Sequence, residues 1–390
     1  MNVNNTLKRW IAGLLFGLVA SCVAAASSGA SESPHRFRVK TIYTGSGAPI
    51  QDGVLTVRDG KVVRVEAAGE STDAASSETM TVLADAVIVP GLIDLLAAPG
   101  ATGQLSEPTS AVQADVRSVD VLAPGHADFD EALAAGITTV VLLPRWDNLV
   151  GGVAAAVKTS GPSLDARTIR TDGPLALSVG RAVARRDRIP TARMGVYDLF
   201  RRTLEGAASE SGESGLAAFA RGKLDGLVHC SDASDARFVL GQIGERGLQG
   251  AIFLGGPVDD MLDELAESGV PIVLGPFALD TSERMLRTPG KLAERGLPIA
   301  LAGAFPEAPL QGLRLTAALA ARHGLATEHA VPAMTSVPAR VAGIGDRVGS
   351  LAPGRDADFV ILSGAPLDLS SRVLAVYIDG KRVYWGERLP

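Results

Sequence analysis

The stretch Ala86-Val-Ile-Val-Pro90-Gly91-Leu-Ile-Asp94-Leu-Leu96-Ala-Ala98-Pro99 divides the chain into two textures. Before it, Phe37 to Tyr43, Gly53 to Arg58 and Lys61 to Glu66 read as strands. Asp59-Gly60, between the last two, favours the type I′ turn whose twist matches its flanking strands. After it, strands alternate with helices, the pattern of a parallel α/β fold. The quoted run is itself a buried strand that turns at Pro90-Gly91 and resumes as Leu92-Ile93-Asp94. Side chains two apart on a strand point the same way, so Leu96 and Ala98 share a face.

Working outward, Ala127 to Ala135 is helical and stops at Gly136, a residue suited to a left-handed C-cap, and Gly136 to Leu143 is a buried strand. A helical region spans Thr191 to Arg221 with a Ser/Gly break at Ser209 to Ser214. Strand Gly226 to Cys230 precedes helix Ala233 to Arg246, and strand Gly250 to Leu254 precedes helix Val258 to Ser268. Strands Val270 to Leu274 and Pro298 to Ala302 and helix Gln311 to His323 follow. These make about seven or eight units, close to the eight of a closed barrel. At the far end, Phe359 to Leu362 is a buried strand, and Val373 to Ile378, Asp379-Gly380 and Lys381 to Trp385 form a hairpin whose natural partner is the N-terminal sheet.

Composition bounds the class. The 390 residues suffice for a large core, and 46% hydrophobic with only 4% aromatic residues suits an aliphatic α/β interior. A net charge of −6 gives no basic face for nucleic acid. Lys8-Arg9 precede an apolar run, Trp10 to Ala20, well short of the roughly 20 residues of a spanning helix. That is the layout of a secretory leader. Two cleavage readings compete: Val19-Ala20-Ser21-Cys22 as a lipoprotein box with Cys22 lipidated, or Ala24-Ala25-Ala26 as an ordinary site. The expected location is the bacterial periplasm, free or lipid-anchored in the envelope. Cys230 is the only other cysteine, so loss or lipidation of Cys22 leaves no intramolecular disulfide.

Four segments carry a family likeness: Pro90-Gly-Leu-Ile-Asp94, Ala132-Leu-Ala-Ala-Gly-Ile-Thr-Thr139, Met334-Thr-Ser-Val-Pro-Ala-Arg340 and Gly349-Ser-Leu-Ala-Pro-Gly-Arg-Asp-Ala-Asp358. From about Phe37 onward the chain resembles the amidohydrolase superfamily, in its imidazolonepropionase-like branch. The resemblance implies a (β/α)8 TIM-type barrel with a small composite β-sandwich built from both chain ends. The implied layout is a leader at 1–26, a tether at 27–36, sandwich at 37–85, barrel at 86–335 and sandwich again at 336–390.

The resemblance also implies a hydrolase of non-peptide carbon–nitrogen bonds, in which zinc or another divalent metal generates hydroxide at neutral pH. Its ligands would be a His-x-His pair, a Lys or Glu on the fourth strand, histidines on the fifth and sixth, and an Asp on the eighth. Here the corresponding positions read Leu96 and Ala98, Ala176, His229, Leu254 and Ala304. Hydrocarbon side chains offer no lone pair, and a catalytic zinc wants three protein ligands plus water. No cofactor is therefore expected, and metal-dependent activity is expected to be absent.

His229 is the single catalytic candidate, as a hydrogen-bonder or general base, against a locally satisfied imidazole at a strand end. Cys230 should face away from it, which leaves Cys230, Asp232 and Asp235 a poor improvised metal site. Asp94 reads as a structural residue at the strand end. His126 precedes a helix; His323 and His329 read as solvent-facing. Arg181, Arg185, Arg186, Arg188 and Arg193 form either an anion-binding rim or a solvated loop. No serine-nucleophile elbow, phosphate loop or dinucleotide fingerprint is present. Three readings follow: a pseudoenzyme, as a homo-oligomer or paired with an active relative; an envelope protein binding a small molecule in the emptied barrel mouth, lined partly by Leu96, Ala98 and Leu254; or a hydrolase with displaced ligands around His229. No nucleic-acid partner is expected, and a membrane only through a lipid anchor.

Overall fold

The computed structural model describes residues 33–386 apart from 71–78, 210, 211, 213 and 310. The leader, Cys22 and residues 27–32 of the tether lie outside the described residues. Strands β1 (His35–Ile42), β2 (Ile50–Arg58), β3 (Lys61–Ala67) and β4 (Thr79–Pro90) come first. At the turn between β2 and β3, Asp59 and Gly60 have φ of 51° and 76°, the two left-handed residues that a type I′ hairpin requires.

The central region begins with β5 (Leu92–Asp94), the helix Asp128–Ala134 and β6 (Ile137–Leu142). Gly136 ends the helix at φ 82°, as the glycine there foretells. Next come β7 (Val150–Val153), β8 (Ala155–Lys158) and β9 (Thr168–Arg170). The run continues with β10 (Leu175–Ser178), β11 (Gly226–Cys230), β12 (Gly250–Leu254), β13 (Ile272–Leu274) and β14 (Ile299–Leu301).

The hydrogen-bonded ladder does not close into the ring of eight parallel strands that the sequence leads one to expect. It forms two open sheets, β14-β13-β12-β11-β10-β7 and β5-β6-β8-β9. β5 and β6 run parallel, as do β10 through β14. β7 and β8 run the other way: β8 pairs antiparallel with β6, and β7 antiparallel with β10. They are consecutive in the chain and joined at Ala154, so one kinked antiparallel segment links the two sheets. Its glycines make this feasible: Gly152 has φ 121°, and a β-carbon there would stand 2.3 Å from the Val116 carbonyl oxygen.

Alternation along these strands sorts their side chains. Ile93, Val141, Ala156, Ala176, Leu227, Ala251, Phe253, Val273 and Ala300 pack into one inner cluster, closed at one end by Val337, Ala339 and Val341 of the helix Ser336–Val341. Leu92, Val140, Leu142, Val228, Cys230, Ile252, Leu254 and Ile272 face outward onto the helices. With that end plugged, the open end lies where β5, β6 and β10–β14 finish. The helix Glu283–Ala293, not foreseen between those strands, carries Pro289 and Gly290 buried inside it.

The last strands are β15 (Phe359–Leu362), β16 (Val373–Ile378) and β17 (Lys381–Trp385). The early strands β1–β4 and the late strands β15–β17 share one continuous sheet, not a two-layer sandwich, of order β17-β16-β15-β4-β1-β2-β3. The sheet curls, because a β-carbon on Gly380 would lie 2.9 Å from Val57 and 3.2 Å from the Gly60 backbone. Its own core includes Phe37, whose ring meets Phe359 edge-on at 5.1 Å, while Phe359 stacks on Tyr377 at 4.5 Å.

Candidate functional site: the open end of the barrel

A cavity of about 610 Å³ opens at this end. Its wall includes Leu96, Ala98, Leu143, Trp146, Phe253, Pro276, Ala304 and Phe305, with Arg145, Asp147 and Glu307 among the polar residues that line it. Leu96, Ala98 and Ala304 thus lie in one place. Leu254 does not join them. It belongs to the outward cluster, one register step from the cavity, and its neighbour Phe253 is the side chain that β12 turns to the cavity. The expectation that Leu254 lines the mouth is therefore corrected by strand alternation. Ala176 lies in the buried inner cluster.

His229 closes the stave of β11, opposite Phe253 in register. Its ring stacks on Trp146 at 5.4 Å and 14°, and meets Phe253 at 5.7 Å. Nδ1 is 3.2 Å from the hydroxyl of buried Ser178. The slot is cut to the ring, since a β-carbon on Gly180 would stand 2.7 Å from Nδ1 and one on Gly255 2.8 Å from Nε2. Burial lowers the imidazole to about 4, so the ring is neutral at physiological pH. Among the described residues, no carboxylate is hydrogen-bonded to it to orient it as a base.

Asp94 is wholly buried at the end of β5. Oδ1 accepts the amides of Leu96 at 3.1 Å and Gly303 at 2.9 Å, while Oδ2 has no partner among the described residues. Burial pushes the carboxyl up, against the pull of the surrounding backbone amides, Gly303 foremost. Next to Gly303, Ala304 holds φ 56°, a left-handed conformation uncommon for alanine, and Ala98 donates to the carbonyl of Phe305 at 2.7 Å. Asp94 therefore fastens β5 to the end of β14 where no ladder does so.

The remaining candidates are committed elsewhere. Cys230 faces outward, wholly buried, with its thiol pushed well up by burial. Asp232 caps the helix Ala233–Arg246 through Ser234 and Asp235 amides, and Asp235 accepts from the Tyr197 hydroxyl at 2.7 Å. Arg193 pairs with Asp232, and Arg181 lies 3.7 Å from the same carboxylate. Arg185 grips Asp187, whereas Arg188 is a tie, donating to the carbonyls of Pro108, Ser110 and Asp147. Arg186 is exposed. Of the basic run, then, one member is structural and three are ion-paired. His126 pairs with Asp128 at the helix start, His329 is exposed, and His323 is half-buried at a helix end.

Do these residues fit the divalent metal that the family resemblance implies? The wall positions are hydrocarbon, His229 is boxed between two glycines, and Asp94 is spent on backbone amides. Among the described residues, no group of three or more His, Cys, Asp or Glu side chains is placed to hold a metal ion. The donor set does not fit a three-ligand catalytic site.

Two features escaped the sequence. Trp146 follows β6 in a loop with no periodicity to flag it. Lys158 is buried to 1% exposure at the end of β8, against Asp356 at 2.8 Å, Asp358 at 3.0 Å and Asp379 at 2.7 Å. Lys61 and Arg347 complete the pairing on Asp356. Burial opposes ionisation of Asp356, but hydrogen bonds from Lys158 and Lys61 outweigh it and hold the carboxyl at about 2; deeper burial raises Asp358 to about 6. The Asp-Ala-Asp motif is thus an ionic clasp between barrel and sheet. A lone lysine ending the apolar run Val150 to Val157 was its available signal.

Residues 300–384 match the model of the amidohydrolase family. An amidohydrolase, tasK, of Hapsidospora irregularis is 26% identical over 334 residues, 72% of this chain; the chain spans 34% of that relative's length. Among solved structures, an amidohydrolase from Thermotoga maritima MSB8 superposes with a TM-score of 0.79 at 26% identity, over 90% of this chain and all of the other. A Xaa-Pro dipeptidase with methionine bound in its active site reaches a TM-score of 0.57 at 15% identity, over 91% of this chain and all of the other, a likeness of fold alone. In fold and in these likenesses the chain is similar to proteins of the amidohydrolase superfamily.

Proposed function

We propose that this chain keeps the amidohydrolase scaffold without its metal-dependent hydrolysis, and that its barrel mouth serves as a binding cavity for a small molecule. The observation that carries this reading is the gathering of Leu96, Ala98 and Ala304 on one cavity wall. Those are the positions at which the family resemblance would require two histidines and an aspartate. A metal in this fold lowers the pKa of a bound water to near 7, and nothing on this wall would grip the ion. What the wall does supply is apolar surface with a few polar groups among it, the usual make-up of a ligand pocket, at a volume within the usual range.

Under this reading the protein acts as a pseudoenzyme in the bacterial envelope, as a homo-oligomer or beside an active relative. The leader read at residues 1–26 supports the location, with Cys22 as the point of lipidation if the lipoprotein box is used. Assays of the purified chain on N-acyl amides, hydantoins, imidazolones and dipeptides, with added zinc or manganese, should give rates indistinguishable from buffer. Chelator-sensitive turnover of any of them would overturn the proposal.

A further inference from the structure

Resting on the reading of the mouth as a binding cavity, we propose that its ligand is an uncharged flat compound of two or three rings, seated against Trp146. The wall offers three aromatic side chains, Trp146, Phe253 and Phe305, with Leu96, Leu105 and Leu143 filling between them. Trp146 is held on one face by His229, nearly parallel at 14°, and its ring also meets Phe253 at 5.6 Å. A preorganised indole of this kind loses little freedom when a ring settles on its remaining surface.

Charge on the ligand finds no counterpart. Arg145 is already paired with Glu307, and Asp147 accepts the Ser106 hydroxyl at 2.6 Å and lies 3.9 Å from Arg185. A carboxylate or ammonium entering the cavity would have to break one of these pairings or be desolvated without a partner. The His229 imidazole, neutral at physiological pH, adds no cation behind the indole. A neutral ring meets none of these costs, and any polar edge it carries can stay at the Arg145–Glu307 pair, where both side chains are more than half exposed.

The probe is N-phenyl-1-naphthylamine, an uncharged two-part aromatic whose emission rises in apolar sites, titrated into the full chain. Saturable enhancement at one dye per chain is expected, with displacement by 2-naphthol at least about tenfold better than by 2-naphthoate, the discrimination that an unpaired buried charge imposes. Trp146→Ala should weaken the dye about tenfold, the loss of one stacking partner, with Trp146→Phe between the two. Ala98→Trp, which fills the cavity, should abolish binding while leaving the melting temperature near that of the parent. Equal displacement by naphthoate, or dye binding unchanged in both Trp146→Ala and Ala98→Trp, would overturn the proposal. Hydrolysis assays are blind to these outcomes, so failure of the ligand class and failure of the functional reading are told apart.

Discussion

Asp94 Oδ1 accepts the amide hydrogen of Gly303 at 2.9 Å, across the seam between β5 and β14 that no strand ladder bridges. A side chain thereby does what backbone pairing does between the other neighbouring strands. Asp94→Ala strands the amides of Gly303 and Leu96 in a dry site, at a cost of about 2–4 kcal/mol for two unmet donors. Asp94→Asn keeps a carbonyl oxygen for both amides and carries no buried charge, so it should cost well under half as much. Chemical denaturation of the three proteins checks the order, and equal losses for Ala and Asn would contradict the bracket.

The Lys158 clasp makes a second expectation. Lys158→Met takes from Asp358 its buried cation and from Asp356 one of its three, and should destabilise the fold by about 3–5 kcal/mol at pH 8, the loss typical of halving a buried ion pair. Asp358 already sits at about 6, above an ordinary aspartate, so its own contribution is full below pH 4 and is lost as the pH rises through 6. Without the lysine Asp358 rises further, Asp356 loses part of what holds it low, and both take protons more readily. The deficit of Lys158→Met should therefore shrink between pH 8 and pH 5, as read from denaturation midpoints at each pH.

His229 works in the opposite sense. Its folded value of about 4 lies below the unfolded 6.5, so its contribution is complete above 6.5 and is lost as the pH falls through 4. The stability gap between the parent and His229→Asn should move in the variant's favour by roughly 2 kcal/mol from pH 7 to pH 4, a rough allowance for partial exposure included. An NMR titration of the ring carbons should find this imidazole still neutral at pH 5, and a midpoint near 6.5 would contradict the slot described between Gly180 and Gly255.

Much of this was legible in the sequence, for reasons that can be named. Leu96, Ala98 and Ala304 could be named together because the family resemblance runs through the short motifs beside them. Asp59-Gly60 and Gly136 announced their left-handed turns, since few other residues adopt them cheaply. Leu254 was misplaced by one position, and on a strand one position is the whole difference between cavity and outer layer. The antiparallel segment Val150–Lys158 was hidden because strand direction leaves no mark on composition. Trp146 and Lys158 depend on partners 83 and about 200 residues away in sequence, which local pattern does not report.

If hydrocarbon has taken the place of ligands, putting ligands back should restore a site. Leu96→His, Ala98→His and Ala304→Asp together assemble three donors on the cavity wall, enough for zinc. Ala304→Asp carries an added benefit, because aspartate tolerates the left-handed conformation found there better than alanine. The triple variant should retain zinc through gel filtration. Retention equal to the parent's would show that the wall geometry, and not the side chains alone, had been lost.

The most direct test is elemental analysis of the unmodified chain, expressed from residue 27 onward in medium supplied with zinc, iron and manganese. The account expects far less than one equivalent of any of these metals per folded molecule after desalting. One tightly held ion per chain, located by anomalous scattering between Leu96, Ala98 and Ala304, would contradict it.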